Sequence, residues 1–271
     1  MNKENLLSKI SKMSEEELKD LARSTSNVEM LNILAENENY KVRCTVVGNK
    51  NTPVEKLIVL AQDENLWVRQ TVALNENTSV DVLAMLAQDE KWQVRRAVAK
   101  NKNTSVSTLA MLASDKEAWI RWAVARNENT PKEALAVLAK DIDWRVCKAV
   151  ASNKNAPEEV LSNLAKDDDT SVRESVVHNQ NISSHTLAIL SNDKNANIRY
   201  NVASHQKTSL ETLAKLALDN NYSVRYAVAR NKNTPFETLT ALTQDESPYV
   251  REAATQALSE RKVKNKCDMV K

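Results

Sequence analysis

From Ser26 onward the apolar positions fall at helical spacing. After Thr52-Pro53, Leu57, Leu60 and Ala61 lie three and four residues apart, which gathers them on one helical face. After Asp63 a second block sets Val68 and Val72 four apart, adds small residues at Thr71 and Ala73, and closes at Asn75-Glu76-Asn77. The pattern predicts two short helices, A and B. The pair recurs without a slip: Asn49, Asn75, Asn101, Asn127, Asn153, Asn179, His205 and Asn231 are 26 residues apart, as are Asp63, Asp89, Asp115, Asp141, Asp167, Asp193, Asp219 and Asp245. A fixed period of this size marks a solenoid, in which each unit touches only its neighbours. The predicted fold is an all-α solenoid of about nine 26-residue, two-helix repeats spanning residues 26–257, the ninth shortened. One elongated domain fits this pattern better than the two globular domains that length alone suggests.

The helix boundaries carry explicit predictions. In Thr52-Pro53-Val54-Glu55, repeated as Thr130-Pro131-Lys132-Glu133 and Thr234-Pro235-Phe236-Glu237, the Thr hydroxyl is expected to accept first-turn amides and the Glu to close a capping box behind a first-turn Pro. The chain has a single glycine, Gly48. Asn is the next residue that tolerates positive φ, so Asn75, Asn101 and their equivalents are expected to take glycine's place at helix ends, as structural residues rather than ligands. Residues 1–25, with a helix beginning at Ser14-Glu15-Glu16-Glu17, are out of register and expected to cap the first edge. Residues 258–271 are basic and expected to fray.

The run N-x-N-T-P-x-E-x-L-x-x-L-A-x-D-x-x-x-x-V-R-x-x-V-A resembles the leucine-rich repeat variant family, and D-x5-R in its second half is similar to HEAT-type and armadillo-like helical repeats. The resemblance covers nearly the whole chain and implies a right-handed α-superhelix. It implies little about activity, because members bind different things. The cysteine-rich iron–sulfur segment described ahead of such repeats has no counterpart, since residues 1–25 contain no Cys.

Composition narrows the chemistry. Cys44, Cys147 and Cys267 are too scattered for a metal or redox motif and suit a reducing compartment. His178, His185 and His205 occupy different columns without a nucleophile motif, and are read as surface residues. One glycine leaves no phosphate-binding loop. No cofactor and no metal are expected. The polar start Met1-Asn2-Lys3-Glu4-Asn5 has no apolar segment behind it and no run is long enough to span a bilayer. A cytoplasmic protein with no membrane contact is expected. Over the whole chain 38 basic groups face 36 acidic ones, but the repeats between the two ends hold 28 and 29. Their surface is neutral overall.

Chemical groups present in every repeat are expected to hold repeats together. Asp63 with Arg69, Asp89 with Arg95 and Asp115 with Arg121 are predicted to form a ladder, each Asp capping helix B and meeting an Arg of its own or the next repeat. The ladder breaks once, where Cys147 takes the Arg position and Arg145 stands two residues earlier.

Two columns vary. On helix B, the i, i+4 pair reads Gln70/Leu74, Arg96/Lys100, Trp122/Arg126, Lys148/Ser152, Glu174/His178, Tyr200/Ser204, Tyr226/Arg230 and Glu252/Gln256, a shared face that stacking aligns into a stripe. The start of helix B reads Leu66, Trp92, Ala118, Trp144, Thr170, Ala196, Tyr222 and Pro248, with Trp67 and Trp119 one position on. The central repeats therefore concentrate Trp92, Arg96, Lys100, Trp119, Trp122, Arg126, Trp144, Arg145 and Lys148. These tryptophans either fill gaps between Ala97, Ala99 and Ala123 or stand exposed as a binding hot spot. The favoured reading is a non-catalytic scaffold whose helix-B face, taken as the concave one, grips an acidic or extended protein partner. The alternative is nucleic-acid recognition, with bases on the tryptophans and phosphates on the arginines. Some bacterial DNA glycosylases resemble HEAT-like solenoids and use tryptophans with an Asp in a basic groove. Oligomeric state is left open by the sequence.

Overall fold

The computed structural model describes residues 3–268, with side chains from 6 to 261. Among the described residues there are twenty helices and no strand, an all-helical repeat solenoid. The helices fall into two units, residues 1–138 and 139–271. The first holds α1 (Lys3–Ile10), α2 (Glu15–Ser24), α3 (Val28–Leu34), α4 (Tyr40–Val47), α5 (Val54–Leu60), α6 (Leu66–Leu74), α7 (Val80–Leu86), α8 (Trp92–Lys100), α9 (Val106–Leu112), α10 (Ala118–Arg126) and α11 (Lys132–Leu138). The second holds α12 (Trp144–Ser152), α13 (Glu158–Leu164), α14 (Thr170–Val177), α15 (Ser184–Leu190), α16 (Ala196–Ser204), α17 (Leu210–Leu216), α18 (Tyr222–Arg230), α19 (Phe236–Leu242) and α20 (Pro248–Asp268).

Helices of seven to nine residues are too short to persist alone in water, so packing must supply their stability. Within each unit the even-numbered helices stack consecutively, α2 to α10 and α12 to α20. Their contact surface is built from Val and Ala: Val68, Val72, Ala73, Val94, Val98 and Ala99 in the first unit, Val146, Val150, Ala151, Val224, Val228 and Ala229 in the second, all inaccessible to solvent. Small side chains let helix axes approach toward the short end of the usual 8–10 Å range. The odd-numbered helices contribute leucines to the core, Leu83, Leu86, Leu109 and Leu112 among them.

The asparagines work differently from expectation. No residue other than glycine has positive φ among the described residues, and neither does Gly48. Asn75 and Asn101 are extended, at φ −70° with ψ 131° and 130°. Their side chains carry the role instead. Asn101 Nδ2 donates to the Ala73 and Asn75 carbonyls at 2.8 and 3.0 Å, and Asn127 repeats this on Ala99 and Asn101 at 2.8 and 3.0 Å. Each Asn thus ties its own turn to the preceding repeat, satisfying carbonyls that the helix end leaves open. His205 sits in this column and uses Nδ1 to accept the Lys207 amide, as Oδ1 of Asn101 accepts that of Asn103. It is half-buried and structural, and burial, with Lys207 and His178 nearby, pushes its pKa down.

The threonines also face backwards. Thr52 is not the cap of α5, whose N-cap is Pro53 without a side-chain bond. Thr78, Thr104 and Thr130 donate to Val72, Val98 and Val124 at 2.6 Å, and Thr52 donates to Val46 in the same way. Each hydroxyl closes the preceding helix B rather than opening helix A. Ser79 and Ser105 do cap α7 and α9. Residues 258–268, expected to fray, continue α20, where the Arg261 guanidinium donates to the Thr234 and Lys232 carbonyls at 2.6 and 2.8 Å. The last residues, 269–271, lie outside the described residues, as do the side chains of 262–268, including Cys267.

Candidate interaction face

Beneath the face runs the charged ladder. Arg43, Arg69 and Arg95 each meet the Asp of the following repeat, Asp63, Asp89 and Asp115, through Nε–Oδ2 contacts of 2.6 Å, with a second bond from Nη2 to Oδ1 at 2.8–3.1 Å. In the second unit Arg173, Arg199 and Arg225 hold Asp193, Asp219 and Asp245 at 2.6–2.7 Å. The same arginines brace the turn before their own helix: Arg69 Nη1 donates to the Asp63 and Glu64 carbonyls at 2.8 and 3.0 Å. Arg121 makes the equivalent bonds to Asp115 and Lys116. The carboxylate of Asp115 therefore belongs to Arg95, while Arg121 holds its carbonyl. The carboxylates do not cap helix B directly. Asp63 accepts the Asn65 amide at 2.8 Å, and Asn65 is the cap of α6.

Burial pushes Asp89 and Asp115 up, but their arginine bonds and the amides of Lys91 and Glu117 outweigh it and hold both below the usual aspartate value. These repeated carboxylates are committed to bidentate pairs, the strong geometry for arginine.

The variable stripe lies on the same helices. Arg96 is next to Arg95 in sequence yet faces the other way. Its Cζ lies 5.6 Å from the Trp119 ring centre and 5.8 Å from that of Trp122, while Arg126 Cζ lies 4.9 Å from Trp122. The two indoles meet edge to face at 6.0 Å and 82°. Trp122 thus has two guanidiniums within cation–π distance, an attraction that favours these rotamers over the others the side chains could adopt. Lys100 completes the cluster, its pKa pushed down by burial and by Arg96 and Arg126. No carboxylate pairs with Arg96, Lys100 or Arg126 among the described residues, and Arg96 Nε is shielded from solvent without a hydrogen-bond partner. A pocket of about 300 Å³ opens between Lys100, Trp122 and Arg126.

Trp67, Trp92, Trp119 and Trp144 are exposed, at 50%, 37%, 44% and 46%, rather than packed among alanines. Trp122 is the half-buried one. In the second unit, Lys148 Nζ lies 6.0 Å over the Trp144 ring, and Arg145 is bound to its neighbour Asp143 at 2.7 Å. Cys147 is buried in the arginine position, its thiol directed at the Asp141 carbonyl 3.3 Å away. Burial, with Asp167 and Asp141 nearby, pushes that thiol up to about 11.

Sequence reasoning passed over a second aromatic cluster. Tyr200, Tyr222, Tyr226 and Tyr249 line a groove of about 310 Å³ in the second unit. Tyr222 and Tyr249 lie 6.4 Å apart, and Arg230 sits 5.8 Å over Tyr226. The signal was present, since Tyr249 occupies the Trp119 column and Tyr226 the Trp122 column.

A solved structure of a leucine-rich repeat variant with a novel repetitive structural motif matches at a TM-score of 0.64 and 24% identity, covering 83% of this chain and 88% of that one. The fold is that of a leucine-rich repeat variant solenoid. More distant matches include an engineered protein (TM-score 0.43, 16% identity, 96% of this chain and 98% of that one) and importin beta (TM-score 0.45, 12% identity, 93% of this chain and 41% of that one). No protein-family model matches the chain, and no curated protein matches it in sequence. Among the described residues no helix is long and apolar enough to cross a membrane.

Proposed function

We propose that this chain is a non-catalytic repeat scaffold that grips a protein partner through the helix-B face of its first unit. The observation that carries the reading is the Arg96–Trp122–Arg126 stack, in which cations are held in place by aromatic rings and left without carboxylate partners. Preordered Trp and Arg side chains are what interface hot spots are made of, because little conformational entropy remains to be lost on binding. The repeated aspartates support the non-catalytic part, being occupied by the ladder.

The test is substitution of Arg96, Trp122 and Arg126 by alanine, followed by capture of crosslinked partners from nuclease-treated host extract. The expected result is an unchanged melting temperature with loss of a protein captured by the wild type. Nucleic-acid binding makes a different prediction: affinity for DNA or RNA oligonucleotides that falls steeply with salt, through counterion release. Tight, salt-sensitive oligonucleotide binding lost in the triple variant would replace the protein reading.

A further inference from the structure

The odd-numbered helices of the first unit carry an apolar row that the core does not use. Leu83 and Leu109 are buried, whereas Val59, Met85, Met111 and Val137, which stand at one place in successive repeats, are 61%, 40%, 47% and 58% exposed. They lie on α5, α7, α9 and α11. The equivalent positions in the second unit hold Asn163, Ile189, Lys215 and Ala241, so the fold accepts a polar or charged residue there. Single exposed apolar residues need no explanation, but a row that recurs in every repeat of one unit does.

The row has an acidic border. Four residues before each exposed side chain stand Glu55, Asp81, Ser107 and Glu133, all exposed, and residues four apart share a helical face. No basic side chain pairs with Glu55, Asp81 or Glu133 among the described residues. On these four helices the cations are Lys56, bonded to Glu36, and Lys132 at the start of α11, and Lys140 follows its end. The row also has a period. It crosses the helices with one exposed residue per repeat, a step of roughly 10 Å. Seven residues of α-helix rise ~10.5 Å and return to nearly the same face. An extended chain covers the step in about three residues, and an odd number turns the next side chain to the opposite face. The row therefore matches a helix with one apolar anchor in each heptad.

We propose that the exposed row on α5, α7, α9 and α11 docks one amphipathic α-helix of another protein, with apolar anchors every seven residues and Lys or Arg beside them for Glu55, Asp81 and Glu133. An apolar helix face laid on an apolar surface is a recurring mode of peptide recognition. Charge complementarity selects the basic rim, and the same carboxylates disfavour the anionic headgroups of a bilayer surface. Met85 and Met111 in the middle of the row suit the contact, because an unbranched thioether adapts to the shape laid against it. This row lies on different helices from Arg96, Trp122 and Arg126 and does not depend on them.

The full chain is titrated by fluorescence anisotropy with a labelled helical peptide of about three heptads, built from Ala and Lys with one Leu in each heptad. Two controls are the same composition with Leu at every fifth residue, and the heptad peptide with Glu in place of Lys. The expected result is binding of the heptad Lys peptide alone, weakened about tenfold or more in Met85→Lys/Met111→Lys at an unchanged melting temperature, since Lys215 already holds that column in the second unit. Should that variant fold poorly, Glu55→Gln/Asp81→Asn keeps the apolar row and should weaken binding and flatten its salt dependence. The triple substitution of Arg96, Trp122 and Arg126 should leave this binding unchanged, whatever becomes of the helix-B reading; loss of binding there would place the peptide on the helix-B face and overturn the inference. Equal affinity for all three peptides would overturn it, as would absence of binding to any. Light scattering that shows a dimer for the wild type and a monomer for Met85→Lys/Met111→Lys would assign the row to a second copy of the chain instead. Co-sedimentation with phosphatidylcholine vesicles that is lost in the same variant would assign it to a bilayer.

Discussion

The two units share one frame and wear different faces. In each, Arg–Asp pairs and the asparagine column lock successive helix-B turns, and valines and alanines fill the contact between them. Outside that frame, the first unit displays tryptophans stacked with unpaired cations, whereas the second displays Tyr200, Tyr222, Tyr226 and Tyr249 around a groove whose nearby cation, Arg230, sits over Tyr226 and donates to its hydroxyl. Positions that hold repeats together are constrained by burial and hydrogen-bond geometry. Those pointing outward are free to differ, and the proposed recognition rests on them. The frame also differs in one rung, where Cys147 stands in place of arginine: Arg173 still holds the Asp167 carbonyl at 2.8 Å, but no basic side chain bonds the Asp167 carboxylate among the described residues, and its Oδ1 accepts the Asp169 amide.

The sharpest way to break this comparison is to attack the frame. Arg95→Ala should destabilise the protein by about 3–5 kcal/mol, because it leaves the Asp115 carboxylate buried without its counter-charge; thermal or urea unfolding measures it. A cost under about 1 kcal/mol would place the ladder among weak surface pairs. Asn101→Ala should cost about 1–3 kcal/mol, from the unsatisfied Ala73 and Asn75 carbonyls, read in the same unfolding experiment. Next comes Cys147→Arg, which supplies the missing rung. Arginines in this column reach the Asp twenty residues on, so the new side chain should meet Asp167 and raise stability by about 1–2 kcal/mol. No gain would mean that the site has repacked around the thiol.

A smaller effect is expected from acid. Asp89, Asp115, Asp193 and Asp219 are held below their ordinary value, so the stability they contribute is complete above about pH 4 and is lost as pH falls through their folded values. Melting temperature should therefore decline below pH 4, and the Arg95→Ala variant, whose Asp115 has lost its arginine, should decline less steeply. Smallest of all, Tyr222→Ala on the exposed tyrosine face should change stability by no more than about 0.5 kcal/mol. A larger loss would make that cluster part of the frame.

The period, the helix pair and the columns were legible in the chain because a solenoid imposes the same local environment at every repeat, and the same environment selects the same residue. The identity of each column's partner was not. Asn was read as a substitute for glycine, and Thr52 as a cap for the helix that follows. Both side chains instead reach backwards, Asn101 to Ala73 and Thr52 to Val46, since the open carbonyls lie at the end of the preceding helix B. Spacing alone could not tell whether Asp115 meets Arg95 or Arg121, because both lie within one repeat of it in sequence.

What the sequence determined by itself is therefore the frame: period, helix type, buried valines and leucines, and which columns are invariant in chemistry. Only the tertiary structure decided direction, that is, which neighbour each polar side chain bonds, which tryptophan lies against two guanidiniums, and that Gly48 adopts ordinary helical φ and ψ rather than a left-handed turn. Periodicity is a property of one chain read in order, whereas a hydrogen bond, a stack or a groove is set by the distance between residues that folding brings together from different repeats.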